Sequence, residues 1–183
     1  MEITIIGTAK GYIGLVGGPG GLRAVTHFSP SPADCLAEAE REVGCRPTET
    51  DRFRAWEDAL RRYAAGEPVD FDLDGSLDPA VGSPFERMVW EQLRKIPWGQ
   101  VVSYGQLAAA LGRPAAVRAV GRAVGRNPWA IIVPCHRVVG AGGRLVGYGG
   151  GIDLKATLLE LEGHEVDRRQ LRLRCCRPGR RQP

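Results

Sequence analysis

The chain has 183 residues, enough for one large domain or two small ones, each with its own hydrophobic core. With 43% hydrophobic and 25% charged residues its composition is that of a globular protein, and no apolar run is long enough to predict a membrane span. The N-terminus has an early acid and no basic segment, which does not fit a secretory signal peptide. We therefore expect a cytoplasmic protein with no membrane partner.

The net charge of +4 is distributed unevenly along the chain. Residues 1–100 contain 11 basic and 16 acidic residues, residues 101–163 contain 7 and 3, and residues 164–183 contain 7 and 2. An acidic front and a basic back predict that only the back faces a polyanion. For the last segment, the alternative is a solvated and disordered arm.

The five cysteines, at positions 35, 45, 135, 175 and 176, are odd in number and show no regular spacing. Free thiols in a reducing compartment fit this pattern better than a disulfide framework. His27 with Cys35 and Cys45 matches no usual zinc spacing and lacks an evident fourth ligand. We predict neither a bound metal nor another cofactor.

The first 78 residues predict a small α/β domain, with a small sheet and a helix. Short apolar runs separated by glycine-rich turns, which indicate a hairpin-like set of strands, occur at Ile3–Ile5, Ile13–Leu15 and Leu22–Phe28. After a break at residues 30–32, apolar residues at helical spacing follow and end near Gly66: Phe53, Trp56, Leu60 and Tyr63. The acidic residues 70–78 then lead into residues 79–82, which we interpret as a linker.

Residues 79–163 predict a second, mainly helical domain. Ser83 and Glu86 form a capping box that begins a helix, Pro84 fits its first position, and residues 97–99 end it. We expect the following residues to form its buried stripe: Phe85, Met88, Val89, Leu93 and Ile96.

Two shorter helices follow in this domain. Ser103 with Gln106 begins one that ends at Gly112, and Pro114 begins another that runs to about Gly125. Two short helices with this connection predict a winged-helix-like helix-turn-helix.

The second short helix has two different faces. Val117, Val120 and Val124 cluster on one side, and nearly opposite them lie Arg118, Arg122 and Arg126. Only alanine and glycine separate the two faces, so the backbone can lie close against another surface. A narrow groove of DNA is the natural candidate, although arginines on a helix are often simply solvated.

The apolar run Ala130–Val133 predicts a buried strand that ends at Pro134, with Cys135 and His136 directly after it. A thiolate is a good nucleophile, and a neighbouring histidine can take the thiol proton. A Cys-His pair is nevertheless more often structural than catalytic. The sequence around it therefore decides which interpretation holds.

That sequence resembles the O6-alkylguanine-DNA alkyltransferases, also called methylated-DNA–protein-cysteine methyltransferases. The resemblance is dense over residues 83–163, and it rests on Ser83-Pro84-Phe85, Val89-Trp90, Ile96-Pro97-Trp98-Gly99, Val102-Ser103-Tyr104, Arg118-Ala119-Val120-Gly121, Asn127-Pro128, Ile131–Val139, Gly147–Gly151, Lys155 and Leu158–Gly163. Residues 1–78 fit the family's variable N-terminal domain in size and element order, and the Arg-rich residues 164–183 form a basic tail without an evident counterpart.

The resemblance implies an alkyl-transfer site. Cys135 would accept the alkyl group, and His136, acting through a bridging water, would take the proton of the thiol. Glu162 would orient His136 and stabilise its charge, and Asn127 would brace the turn before the active cysteine.

The resemblance also implies how the alkylated base is held. The hydroxyl of Tyr104 would donate to guanine N3, and the backbone of Gly149, after Tyr148, would donate to O6. The carbonyls of Cys135 and Val138 would accept from the exocyclic amine. Some relatives carry serine at the position of Gly149, which can alter tolerance of bulky inhibitors.

The implied partner is double-stranded DNA that contains O6-alkylguanine, with O4-alkylthymine as a further candidate substrate, and the protein is expected to act as a monomer. The base must leave the stack to reach Cys135, and Arg118 would fill the vacated space. The other implied DNA contacts are Arg113, Ala119 and Arg122. Because the thioether product is not cleaved, each molecule would act once.

Two other functions use the same residues. A cysteine hydrolase would form an acyl intermediate on Cys135 and turn over, whereas a DNA-binding regulator would use only the helix-turn-helix. Alkyltransferase-like proteins of the second kind lack the acceptor cysteine, which this chain has.

Overall fold

A computed structural model describes residues 1–71 and 77–174 of the chain, which divides into two compact units. Unit 1 consists of Met1–Gly82 with Pro128–Ile132, and unit 2 of Ser83–Asn127 with the chain from Val133 onward. Part of the predicted acidic stretch, and the tail with Cys175 and Cys176, lie outside the described residues. In the described ranges, no helix is long and apolar enough to cross a membrane.

Unit 1 is built on a four-stranded sheet with the strand order β3-β2-β1-β4. Its strands are β1 (Glu2–Thr8), β2 (Gly11–Gly18), β3 (Gly21–Val25) and β4 (Thr48–Glu49). The first three strands pair antiparallel with their neighbours, and β4 pairs parallel with β1. Gly11 and Gly21, at the two tight turns, have positive φ angles of 109° and 114°. The predicted set of hairpin strands is confirmed.

Two helices accompany this sheet: α1 (Pro32–Val43) and α2 (Glu57–Ala64). The sequence analysis missed α1 because it treated residues 30–32 only as a break. In the structure Ser31 caps this helix by accepting from the Asp34 amide, and Pro32 occupies its first turn. The one helix predicted in this domain corresponds to α2, in which Leu60 and Tyr63 are buried, but α2 begins only after Phe53 and Trp56. The sheet and α1 enclose a core of Ile3, Val16, Ala24 and Ala39.

The apolar run Ala130–Val133 is buried, but the predicted strand is wrong. Ile131 has a φ of 71°, and the amide of Ile132 donates to the carbonyl of Ala130 at 2.8 Å, so the chain turns here. Just before the run, Trp129 donates from its indole to the Leu22 carbonyl at 2.8 Å. An apolar run indicates burial, and a buried turn satisfies that requirement as well as a strand does.

Unit 2 begins with three helices: α3 (Pro84–Arg94), α4 (Tyr104–Ala110) and α5 (Val117–Gly125). Both predicted capping boxes are present, Ser83 with Glu86 and Ser103 with Gln106. A single 3-10 turn, Pro114–Ala116, precedes α5. Helix α5 packs against both α3 and α4. The predicted order of helices and turns is therefore confirmed in this part of the chain.

The buried stripes of α3 and α5 differ in detail from the prediction. Met88 is exposed, and Trp90 takes its place in the core, where its indole donates to the Ala123 carbonyl at 2.8 Å. This rotates the buried face of α3 away from Met88. At the start of α5, Val117 is exposed while Val120 and Val124 are buried.

The rest of unit 2 surrounds one small core. Strand β5 (Val102–Ser103) pairs parallel with β6 (Val138–Val139), and α6 (Ile152–Leu161) follows. A hairpin of β7 (Val166–Asp167) and β8 (Arg172–Leu173) comes next, so the described part of the basic tail is folded. The core residues are Val139, Leu145, Ala156, Leu159 and Leu173.

Candidate active site

Cys135 opens a 3-10 turn, Cys135–Arg137, that leads directly into β6. Strand β5 pairs with β6 and leads into α4, whose first residue is Tyr104. The charge of Cys135 acts on the Tyr104 hydroxyl, so the two side chains lie near each other. The Cys135 side chain is nearly enclosed, with 8% of the residue exposed. A substrate can therefore reach this thiol only by fitting into the site around it.

Asn127 holds the backbone immediately before Cys135. Its side-chain amide donates to the carbonyl of Val133 at 2.8 Å, and the amide of Cys135 donates to that same carbonyl at 2.8 Å. Asn127 also hydrogen-bonds the Cys135 side chain, which favours the thiolate. The predicted bracing role of Asn127 has the contacts it requires.

His136 and Glu162 are both buried and meet directly, with 2.9 Å between Nε2 and Oε1. Burial alone would raise the pKa of Glu162, but hydrogen bonds and charge from His136 and Arg137 lower it to about 2. Glu162 is therefore ionised, and the imidazole nitrogen that faces it carries the proton. The lone pair of His136 lies on Nδ1, which is the basic atom.

Burial lowers the pKa of His136, against the opposing effect of Glu162. The imidazole is therefore neutral near neutral pH, as a proton acceptor must be before it acts. The sequence analysis placed these two residues in one dyad, and they are adjacent in the structure.

Lys155 is a buried cation that the sequence analysis quoted without giving it a role. Its ammonium donates to three carbonyls: Val138 at 2.6 Å, Val146 at 2.9 Å and Gly147 at 3.4 Å. Burial lowers its pKa to about 8, while the charge of Cys135 opposes that shift. A lysine on the same helical face as the buried Leu158 and Leu159 was the signal that could have identified it.

The Cys135 thiol is subject to opposing effects on its ionisation. Burial raises its pKa. The hydrogen bond from Asn127, the charge of Lys155 and the backbone amides of the turn act in the opposite direction. Cys135 is therefore a neutral thiol at rest, and its sulfur becomes a nucleophile when a base accepts the proton.

Arg137 was not predicted as a site residue, yet it completes the cluster. Its guanidinium contacts both carboxylate oxygens of Glu162, with Nε at 3.1 and 2.9 Å and Nη2 at 2.9 Å. Its Nη1 donates to the Ile96 carbonyl at 2.6 Å. In the sequence, Arg137 stood out only as a member of the segment Ile131–Val139 that carries the resemblance. Its burial is seen only in the structure.

The residues predicted to hold the base differ in their contacts and in their burial. The hydroxyl of Tyr104 donates to the Val146 carbonyl at 3.4 Å, and its pKa is raised by burial and by the charge of Cys135. Val138 is buried, and its carbonyl already accepts from Lys155. Tyr148 is half-buried, and Gly149 is exposed.

An exposed surface, which we call the α5 surface, carries the predicted DNA contacts. Arg113, Arg118 and Arg122 are exposed, and Ala119 is half-buried among them. The Arg113 guanidinium lies 5.8 Å from the centre of the Phe85 ring. Arg126 continues the predicted stripe, but its Nη1 contacts Glu86 at 3.0 Å.

Among the described residues, no group of three or more histidine, cysteine, aspartate or glutamate side chains is arranged to hold a metal ion. His27 instead contacts Glu38, with 2.6 Å between Nδ1 and Oε1.

Comparison with known proteins identifies the family. Residues 84–164 match the family described as 6-O-methylguanine DNA methyltransferase, DNA binding domain. The methylated-DNA–protein-cysteine methyltransferase of Mycobacterium leprae is 50% identical over 124 residues, which cover 68% of this chain and 73% of that protein. The Salmonella typhimurium protein of the same name is 55% identical over 108 residues, 58% of this chain and 61% of that protein.

Solved structures agree. The crystal structure of Mycobacterium tuberculosis O6-methylguanine methyltransferase matches with a TM-score of 0.72 and 41% identity, covering 88% of this chain and 92% of that one. The same TM-score and coverage, with 40% identity, hold for the Mycobacterium tuberculosis OGT structure in complex with DNA. The fold and the site together define a class of protein, a DNA-binding domain that contains a buried cysteine. Within that class, the chain belongs to the methylated-DNA–protein-cysteine methyltransferase family.

Proposed function

We propose that the protein repairs alkylated DNA by moving the alkyl group from guanine O6, in a duplex, to the sulfur of Cys135. One observation carries the proposal: the enclosed Cys135 is followed directly by His136, which is hydrogen-bonded to Glu162 at 2.9 Å. The family match over residues 84–164 and the DNA complex of a relative support DNA as the partner.

The transfer moves one proton and one alkyl group. Nδ1 of His136, through a bridging water, takes the proton of the Cys135 thiol, and the imidazolium that results is stabilised by Glu162. The sulfur attacks the alkyl carbon in line with the bond to O6. The S–C bond forms, the C–O bond breaks, and its electron pair remains on guanine.

The leaving guanine is an anion until it receives a proton. We assign the proton to the Tyr104 hydroxyl, aimed at N3, and we assign to the amide of Gly149 a hydrogen bond to O6 in which the amide keeps its proton. The proton that His136 took from Cys135 then returns Tyr104 to its neutral form, so the net transfer to guanine is one proton. The carbonyls of Cys135 and Val138 accept from the exocyclic amine. Val138 can do so while bound by Lys155, because a carbonyl oxygen has two lone pairs.

DNA binding is assigned to α4 and α5 as a winged-helix-like helix-turn-helix. Its small residues allow α5 to enter the minor groove, with Arg113, Arg122 and Ala119 at the backbone and Arg118 in the space that the flipped base leaves. A monomer suffices for this geometry, because every residue assigned to the reaction lies in unit 2.

The intact mass of the protein after reaction with an O6-methylguanine duplex tests the proposal. We expect one methyl group per molecule, an equimolar loss of O6-methylguanine, and no further loss when more duplex is added. Continued turnover with unmodified protein would indicate a hydrolase. Tight binding with neither mass gain nor base repair would indicate a regulator, and either result would reject alkyl transfer.

A further inference from the structure

The carboxylate of Glu162 is shared between two buried partners. Its Oε1 faces His136 Nε2 at 2.9 Å and also accepts from Arg137, from Nε at 3.1 Å and from Nη2 at 2.9 Å. Its Oε2 accepts from Arg137 Nε at 2.9 Å and from the Gly99 amide at 3.4 Å. Because Arg137 is also held by the Ile96 carbonyl at 2.6 Å, the carboxylate has a fixed orientation.

The charges in this arrangement act on His136 in opposite directions. A buried carboxylate alone favours a protonated imidazole, because the ion pair is strong where water is excluded. A general base that already holds a proton cannot take another. A guanidinium on the same carboxylate cancels its charge, and it acts to keep His136 neutral.

We infer that Arg137 is a positioning residue that sets the basicity of His136 by fixing and neutralising the carboxylate of Glu162. The inference rests on the proposed alkyl transfer, in which His136 takes the proton of Cys135. Arg137 touches neither sulfur nor substrate in this account, and it acts only through Glu162.

A purely structural ion pair would have a different signature. Removing it would lower the stability of the protein without moving the titration of His136. An Arg137 variant keeps every other charged group that acts on His136. His164 interacts electrostatically with Glu162 and Arg137. The charged or titratable groups around the imidazole are Glu162, Arg137, Lys155 and Cys135.

The experiment compares Arg137→Met with Arg137→Lys. The matched control is Arg168→Met, which breaks an exposed arginine pair with Glu160 on the same helix as Lys155. Nitrogen NMR follows the titration of His136 in each protein, and rapid mixing gives the rate of methyl transfer from duplex against pH. Unfolding temperature and the affinity for undamaged duplex report whether each variant is folded.

In Arg137→Met the midpoint of His136 should rise by about one pH unit, because an opposing charge within contact distance is lost. The pH below which the transfer rate falls should rise by the same amount. In Arg137→Lys, where the charge remains and the fork is lost, the midpoint should stay near that of the wild type while the rate falls roughly tenfold. Arg168→Met should match the wild type in both measurements.

A His136 midpoint that does not rise in folded Arg137→Met would overturn the inference. If that variant does not fold, Arg137→Gln decides, because it also removes the positive charge but keeps a polar side chain beside Glu162; an unchanged or lower midpoint of His136 rejects the inference. The titration needs no DNA, so a failure of alkyl transfer in the wild type would reject the proposed function without moving this result.

Discussion

Within the described residues, each unit contains one buried cysteine, and the two differ in what surrounds the sulfur. Cys35 in unit 1 has the Thr26 hydroxyl at 3.3 Å and the negative charge of Glu38 nearby. Cys135 in unit 2 has the Asn127 amide and the positive charge of Lys155. Burial raises the pKa of both thiols.

The remaining contributions separate them. Around Cys35 the charged neighbour opposes the thiolate, whereas around Cys135 the charge, the amide and the backbone of the turn all favour it. Only Cys135 is followed by a neutral imidazole whose partner is an ionised carboxylate. Reactivity in this protein follows from the groups that receive the proton and stabilise the anion.

The largest effect should come from exchanging the two thiols for hydroxyls. Cys135→Ser should lose methyl transfer completely, because an alcohol is far harder to ionise than a thiol. Cys35→Ser should retain the wild-type rate, since the charge of Glu38 disfavours a thiolate at Cys35. The measurement is methyl incorporation from an O6-methylguanine duplex, and loss of transfer in folded Cys35→Ser would break the distinction.

Glu162→Gln should slow transfer roughly a thousandfold, because His136 loses the group that stabilises its positive charge. Affinity for undamaged duplex should hardly change, and the pH dependence should shift. Glu160→Gln is the matched control, since Glu160 is exposed and contacts Arg168 rather than His136. Equal losses of binding and transfer would show that Glu162 has a structural role only.

Lys155→Met should slow transfer roughly a hundredfold, because the thiolate loses its nearest cation and three carbonyls lose their donor. The wild-type rate should fall at low pH, where His136 becomes protonated. It should also fall above about pH 8, where Lys155 loses its charge before the thiol ionises unaided. The alkaline fall should be absent from Lys155→Met and present in the control Lys95→Met. A rate that keeps rising through pH 8 would contradict the role of the ammonium.

Arg118→Ala should slow transfer from duplex roughly tenfold, because the flipped base can return to an unfilled stack. The reaction with free O6-benzylguanine, which needs no flipping, should keep its rate. Equal slowing of both reactions would make Arg118 a support of the active site.

The smallest effect should come from Arg122→Ala, which removes a single phosphate contact. Binding to any duplex should weaken about equally, and the slope of log affinity against log salt should fall by about one unit. Arg126→Ala is the matched comparison on the same stripe. Because Arg126 contacts Glu86, we expect a smaller change in its slope. A larger change for Arg126 would place the phosphate contact there.

Short sequence patterns were sufficient to predict structure where the pattern is typical of one local conformation. The capping boxes at Ser83 and Ser103 predicted helix starts that the structure confirms. The Cys135-His136 pair and Glu162, however, came together through resemblance, since 26 residues separate His136 from Glu162. No periodicity in a sequence shows that two such distant side chains meet.

The errors have physical causes. The strand predicted at Ala130–Val133 failed because burial is common to strands and enclosed turns, and a positive φ at Ile131 leaves no mark in the residue type. Helix α1 was missed because proline was taken as a breaker where it occupies a first turn. Arg137 and Lys155 were passed over because a charged residue is exposed by default, and only tertiary contacts show its burial.

The most direct test of the account is to locate the transferred methyl group. The protein is mixed with an O6-methylguanine duplex, digested, and every cysteine peptide is examined by mass spectrometry. We predict a single methyl group, on the peptide that contains Cys135. A methyl group on Cys35, Cys45, Cys175 or Cys176, with Cys135 unmodified, would contradict the assignment of the acceptor and with it the contrast between the two buried thiols.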